Sequence, residues 1–116
     1  MIRRAEECSV SYAENLKGGQ GTAINTSFIA DNSELMNKGR LFGKLHLDPG
    51  CSLGYHVHEG DSELYYITKG SAEYNDNGSI TTVKEGDVTI CKPGCGHGIA
   101  NNTDEPMELI AVIVFQ

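Results

Sequence analysis

The chain is short of positive charge, with 9 Lys and Arg against 16 Asp and Glu and a formal net charge of −7. The cationic side chains (Arg3, Arg4, Lys17, Lys38, Arg40, Lys44, Lys69, Lys84, Lys92) are scattered and form no stripe, which argues against nucleic acid or an anionic membrane as partner. Long apolar runs are missing too. The longest, Leu109 to Phe115, is far too short to span a bilayer as a helix. The opening Met1-Ile2-Arg3-Arg4-Ala5-Glu6-Glu7 leads into polar sequence with no apolar secretory core, so a cytoplasmic location is expected. No repeat, linker or low-complexity segment divides the chain. At 116 residues it reads as a single domain over 1–116, long enough to bury a core without disulfide staples.

Cysteine is limited to Cys8, Cys51, Cys91 and Cys95, and without a secretory context a disulfide framework is not expected. Cys91-x3-Cys95-x-His97 could pass for half a zinc site, but no second pair of thiols stands at zinc-finger spacing. Free thiols are the expectation, with Cys95 near enough to His97 in sequence to reach its surroundings.

What is present is strand. Residues 1–20 read as a polar N-terminal arm and loop, ending in Lys17-Gly18-Gly19-Gln20-Gly21. From Thr22 the period-2 signal takes over, and Thr22 to Ala30 reads as a strand with Ile24, Thr26 and Phe28 on one face. Asp31 to Gly39 carries a helix-cap signal and a glycine stop, enough for at most two helical turns. Further short runs follow at Leu41–Leu47, Gly54–His58, Ser62–Thr68, Ser71–Tyr74, Ser79–Lys84, Asp87–Cys91, His97–Asn101 and Met107–Phe115. Asp76-Asn77-Gly78 marks a hairpin, because Asn-Gly supplies the positive φ angles of a type I′ turn. About eight short strands with close turns predict an all-β sandwich or barrel. Met107–Phe115 alternates too little for a half-exposed strand and should be buried on both faces.

The chain has 4 histidines, and three of them fall into one pattern. Gly50, His56, His58, Glu63 and Gly70 give G-x5-H-x-H-x4-E-x6-G, answered downstream by His97-x3-Asn101. A His-x-His pair on a strand points both imidazoles to the same face. A carboxylate and a third imidazole from separate strands could complete a cluster around one divalent metal. An isolated His-x-His is more often just solvated. Glu63, His97 and the spaced glycines together reverse that balance.

The segment Gly50 to Gly70 (GCSLGYHVHEGDSELYYITKG) resembles the first cupin motif at each of its fixed positions, and Gly86 to Asn101 (GDVTICKPGCGHGIAN) resembles the second. Pro93 lies one position later than usual, and Gly96 immediately precedes the histidine. The resemblance implies a double-stranded β-helix or jelly-roll barrel with a metal in its mouth, held by His56, His58, Glu63 and His97. Three imidazoles and a carboxylate suit Fe, Mn, Ni, Co, Cu or Zn and disfavour calcium. Four protein ligands on an octahedral ion would leave two adjacent positions for water, substrate or dioxygen. Tyr65, two residues after Glu63, should point into the barrel, as core packing or as a phenolic proton donor; Tyr66 should point out. Arg40 shares strand parity with Phe42 and would hold a substrate carboxylate or phosphate only if that face lined the barrel. His46 reads as part of a polar strand face, not as a fifth ligand.

Cupins span many activities, so the fold does not settle the chemistry. The favoured expectation is a metal-dependent enzyme acting on a small oxygenated or anionic metabolite, of dioxygenase, isomerase or lyase type. The alternative is a metal-bearing module that binds or senses a small, sugar-like molecule. A barrel with vestigial ligands ranks last. The resemblance also implies a homodimer, with the N-terminal arm packing on the partner subunit.

Overall fold

A computed structural model describes residues 1–116. Its strands are β1 (Ser9–Glu14), β2 (Thr22–Ser27), β3 (Gly39–Leu47), β4 (Ser52–Val57), β5 (Asp61–Lys69), β6 (Ser71–Asp76), β7 (Ser79–Lys84), β8 (Val88–Cys91), β9 (Gly96–Ala100) and β10 (Met107–Phe115). They form two antiparallel sheets, a six-stranded one ordered β1-β2-β3-β10-β5-β8 and a four-stranded one ordered β4-β9-β6-β7. This is the jelly-roll barrel that the sequence led us to expect.

Alternation does most of the building. In β5 the residues Asp61, Glu63, Tyr65 and Ile67 turn inward, and in β10 Met107, Leu109, Ala111 and Ile113 do the same. The inner faces meet in a core that includes Leu45, Leu47, Ile67, Met107 and Leu109 from one sheet and Leu53, Ala72, Tyr74, Val83 and Ile99 from the other. The hairpin between β6 and β7 turns through Asn77 (φ 51°) and Gly78 (φ 101°), the positive pair that a type I′ turn requires. Asn101 is wholly buried. Its amide donates to the carbonyls of Leu47 and Glu105, while Thr103 donates to its oxygen through both N and Oγ1, which pins the connection into β10.

One expectation is corrected. Residues 1–20 are not wholly arm and loop, because Ser9–Glu14 pairs along its length with β2 as an edge strand. Its side chains are nearly all exposed, so the hydrophobic pattern that announces the other strands is absent there. Asp31–Gly39 stays within the two turns expected of it, with one 3-10 turn, Asn32–Leu35, capped by the Asp31 carboxylate and stopped by Met36 and Asn37 at positive φ. In the single chain β10 buries its inner face in the barrel; Ile110 and Val112 on the other face are half-buried, and Val114 and Phe115 are exposed. No helix is long and apolar enough to cross a membrane.

Candidate metal centre

The strand directions bring one end of the barrel together from the last residues of β4, the first of β5 and the first of β9. Between Leu53 and His56 the pairing of β4 with β9 slips by one residue, so that His56 faces His97 directly. This bulge turns the Gly54 carbonyl back on its own strand, where it accepts a hydrogen bond from His56 Nδ1 at 2.8 Å. His58 lies just past the end of β4, and its Nδ1 donates to Asp61 Oδ1 at 2.8 Å. On β9, His97 Nδ1 pairs with the Tyr74 hydroxyl at 2.9 Å. Gly96 beside it leaves room for the Tyr55 ring, whose Cζ a Cβ at that position would meet at 2.4 Å. The glycine that departs from the usual cupin pattern therefore has a packing reason.

With each Nδ1 engaged, the opposite nitrogens converge. His58 Nε2 stands 3.1 Å from His97 Nε2 and 3.1 Å from Glu63 Oε1, His97 Nε2 is 3.0 Å from the same oxygen, and His56 Nε2 is 3.8 Å from it. One donor atom from each of His56, His58, Glu63 and His97 lies within 4.8 Å of the others. The chemistry of this set is specific. A neutral imidazole whose Nδ1–H is donated outward, as in His56 and His58, presents only a lone pair at Nε2. Lone pairs and a carboxylate oxygen at about 3 Å repel unless positive charge lies among them, and that is the arrangement in which outer partners fix a metal-ligating tautomer. The donor set fits a divalent transition metal.

Electrostatics agree. Burial pushes the Glu63 carboxyl up, but positive charge on His56, His97 and His58, as the metal-free imidazoles would carry it when protonated, outweighs burial and holds its pKa down at about 2. It is a carboxylate at neutral pH. Burial pushes the Tyr65 hydroxyl well above its ordinary value, with Glu63 adding to the effect, and burial is also the chief cause that raises Tyr74 to about 12. Both phenols stay protonated.

Tyr65 is buried, stacked on His97 with ring centroids 4.9 Å apart, and its hydroxyl donates to Glu63 Oε1 at 3.3 Å. Tyr66 turns outward, half exposed. Arg40 is exposed, in phase with Phe42, and lines the cavity beside the cluster. In the pairing of β3 with β10, Ile113 faces Leu41 and Val114 faces Gly39, so Arg40 is the extra residue of a bulge. Its Nε donates to Asp61 Oδ2 at 2.9 Å. His46 stays off the cluster, between Glu108 and Asp48 on the outer side. The four cysteines are free, the convergent cluster contains no thiol, and neither Cys91 nor Cys95 lines the cavity beside it. Sequence reasoning missed Asp61 and Tyr74. Asp61 was legible in principle, three residues after His58 and in phase with Glu63; Tyr74 was not, because only the sheet pairing brings β6 beside His97.

The cluster opens into a cavity of about 670 Å3 walled by Leu41, Leu45, Leu53, Ala111 and Ile113, by the charged Lys17, Arg40, Lys44 and Glu59, and by the site residues. A concave site with apolar walls and convergent polar groups suits a small molecule.

Known proteins place this architecture. A curated protein named "Oxalate-binding protein", from Thermotoga maritima, is 36% identical over 114 residues, which cover 98% of this chain and 93% of that one. A solved structure from Thermotoga maritima, described as a predicted oxalate decarboxylase, matches with a TM-score of 0.94 at 35% identity over 100% of both chains. An uncharacterized HTH-type transcriptional regulator of Escherichia coli is 30% identical over 59 residues, 51% of this chain and 20% of that protein. The family model described as the cupin domain matches residues 43–113, and with it the chain belongs to the cupin family.

Proposed function

We propose that this cupin holds one divalent transition metal on His56, His58, Glu63 and His97 and takes a small, metal-chelating carboxylate of the oxalate class into the cavity beside it. The observation that carries the reading is the convergence of three Nε2 atoms and Glu63 Oε1, with every outward Nδ1 already engaged. A metal bound there would act as a Lewis acid or a redox centre and supply open positions for oxygen ligands. Three neutral imidazoles and one carboxylate leave a divalent ion with a net charge of about +1, which favours an anionic ligand. The chain's own residues do the rest. Glu63 supplies the single negative charge, and Tyr65 keeps it oriented by donating to Oε1. Lys17, Arg40 and Lys44 line the cavity beside Leu41, Leu45 and Leu53, and their positive charge favours a carboxylate. The name of the Thermotoga maritima relative supports the ligand class. Turnover of that ligand, the enzymatic reading, is favoured by Tyr65, the protonated phenol that faces both Glu63 and the cavity.

The test combines elemental analysis of untagged protein with calorimetric titration of oxalate into metal-loaded and chelator-stripped samples. Near-stoichiometric metal and oxalate binding only to the loaded sample are expected; equal oxalate binding to both would sink the proposal. Carbon dioxide release or dioxygen uptake from the loaded sample turns the binding protein into an enzyme.

The homodimer belongs to the same proposal, with a second copy of this chain as the occupant of the outer face of the six-stranded sheet. Tyr66, Val88 and Ile90 are exposed there, and Ile110 sits across from Tyr66 in the register, so an apolar band crosses β8, β5 and β10. The band carries no charge, so it suits a like surface. Sedimentation should give twice the 12.5 kDa chain mass, and Tyr66→Lys should return the monomer; a monomeric parent refutes the dimer.

A further inference from the structure

We propose that Arg40 and Asp61 form a clamp that positions His58, with Arg40 acting on the metal centre through Asp61. The inference rests on the metal reading above.

Of the three imidazoles, two are anchored by neutral groups, the Gly54 carbonyl and the Tyr74 hydroxyl. His58 alone is anchored by a charge. Its Nδ1 donates to Asp61 Oδ1 at 2.8 Å, and the other oxygen of the same carboxylate accepts from Arg40 Nε at 2.9 Å. The carboxylate is only 9% exposed, so its charge would be costly if unpaired. Arg40 is therefore the counter-charge that lets a buried carboxylate sit behind a ligand.

The backbone explains how the arginine gets there. Arg40 is exposed, in phase with Phe42. The bulge opposite Ile113 and Val114 adds one residue to β3 at this point, and from the rim the side chain reaches Asp61, which faces inward in phase with Glu63 and Tyr65. Neither partner lies on the element that carries His58, so the clamp ties the end of β4 to β3 and β5. His58 follows the last residue of β4, where its N–H donates to the Cys95 carbonyl at 2.9 Å and its own carbonyl accepts from Gly94 N at 2.7 Å, so the main chain is held and the clamp acts on the side chain. The clamp fixes the Nδ1–H tautomer and the ring plane, so Nε2 is presented to the cluster without a search over rotamers. Loss of such an outer partner typically weakens metal affinity by about 10–100-fold.

The experiment is a double-mutant cycle on metal affinity, measured by competition with a coloured chelator, with cobalt absorption spectra and thermal midpoints of the metal-free proteins recorded beside it. Asp61→Ala should weaken metal binding by about 10–100-fold. Arg40→Met should weaken it less, and Arg40→Lys should recover part of that loss. The double variant should be no weaker than Asp61→Ala alone, because Arg40 acts only through Asp61. Cobalt spectra should change for Asp61→Ala even though the other ligands are intact. Should Asp61→Ala fold poorly, Asp61→Asn keeps the shape and a neutral acceptor and should give an intermediate loss. Parental affinity in both Asp61 variants, or losses that simply add in the double variant, overturns the clamp while leaving the metal reading in place. A parent that takes up no metal overturns both.

Discussion

The two ends of the barrel are built from the same strands and the same alternation, yet they do opposite things. At one end Leu47, Ile67, Ile99, Met107 and Leu109 close the space between the sheets with apolar side chains, and Asn101, the polar group buried there, spends its amide on the chain's own carbonyls. At the other end the inward positions of the same strands become Glu63, Tyr65 and His97, and none of their outer hydrogen-bonding groups is left without a partner. Polar groups at the closed end complete the backbone's accounting. Polar groups at the open end point past the backbone toward a common centre. Burial is nearly the same; what separates function from support is where the lone pairs aim.

Breaking each end should therefore give opposite signatures. His58→Ala removes a converging nitrogen and should lower metal affinity by more than the roughly 100-fold upper range of outer-partner losses, with the thermal midpoint of the metal-free protein close to the parent's. Leu109→Ala at the closed end should cost about 2–5 kcal/mol in denaturant unfolding while the folded fraction binds metal as before. A crossed result, in which His58→Ala unfolds the barrel or Leu109→Ala loses metal, would show that the two ends are not separable.

A smaller effect sharpens the contrast from outside the barrel. His46 sits between Glu108 and Asp48, each at 2.8 Å. Burial opposes its charge, but the hydrogen bonds to Glu108 and Asp48 outweigh it and raise its pKa above the ordinary 6.5. The folded state then binds the proton more tightly than the unfolded one, so the stabilisation is complete below pH 6.5 and is lost as pH rises through the folded pKa. Unfolding free energy of the parent should decline across that window relative to His46→Gln, by less than the Leu109→Ala loss. Parallel curves for the two proteins would remove the charge from the account.

Much of the barrel was legible beforehand because alternation and turn chemistry are local. Ser79–Lys84 and Met107–Phe115 keep the bounds their sequence suggests, and Asn77-Gly78 turns as its φ preferences require. The spaced glycines and histidines likewise carry the family in the sequence itself, and the structure brings His56, His58, Glu63 and His97 to one point. What local pattern does not hold is register. β1 has no apolar face to announce it, since its backbone bonds to β2 are what make it a strand. The partner of Arg40 could not be read from parity, because its contact with Asp61 and the bulge beside it are defined only by neighbouring strands. The same holds for Tyr74, brought to His97 by the pairing of β6 with β9.

The cluster also straddles the seam of the molecule. His56 and His97 belong to the four-stranded sheet and His58 directly follows its β4, whereas Glu63 belongs to the six-stranded sheet. An ion held by all four would be a rivet between sheets in a chain whose cysteines are all free. By mass action such a rivet is only as strong as the supply of its ion: at a free concentration 100 times the dissociation constant it adds about 2.7 kcal/mol to stability, and at concentrations far below that constant it adds almost nothing. With such an ion the durability of this fold would become a readout of metal availability, and in starved surroundings the packed core would carry it without the rivet.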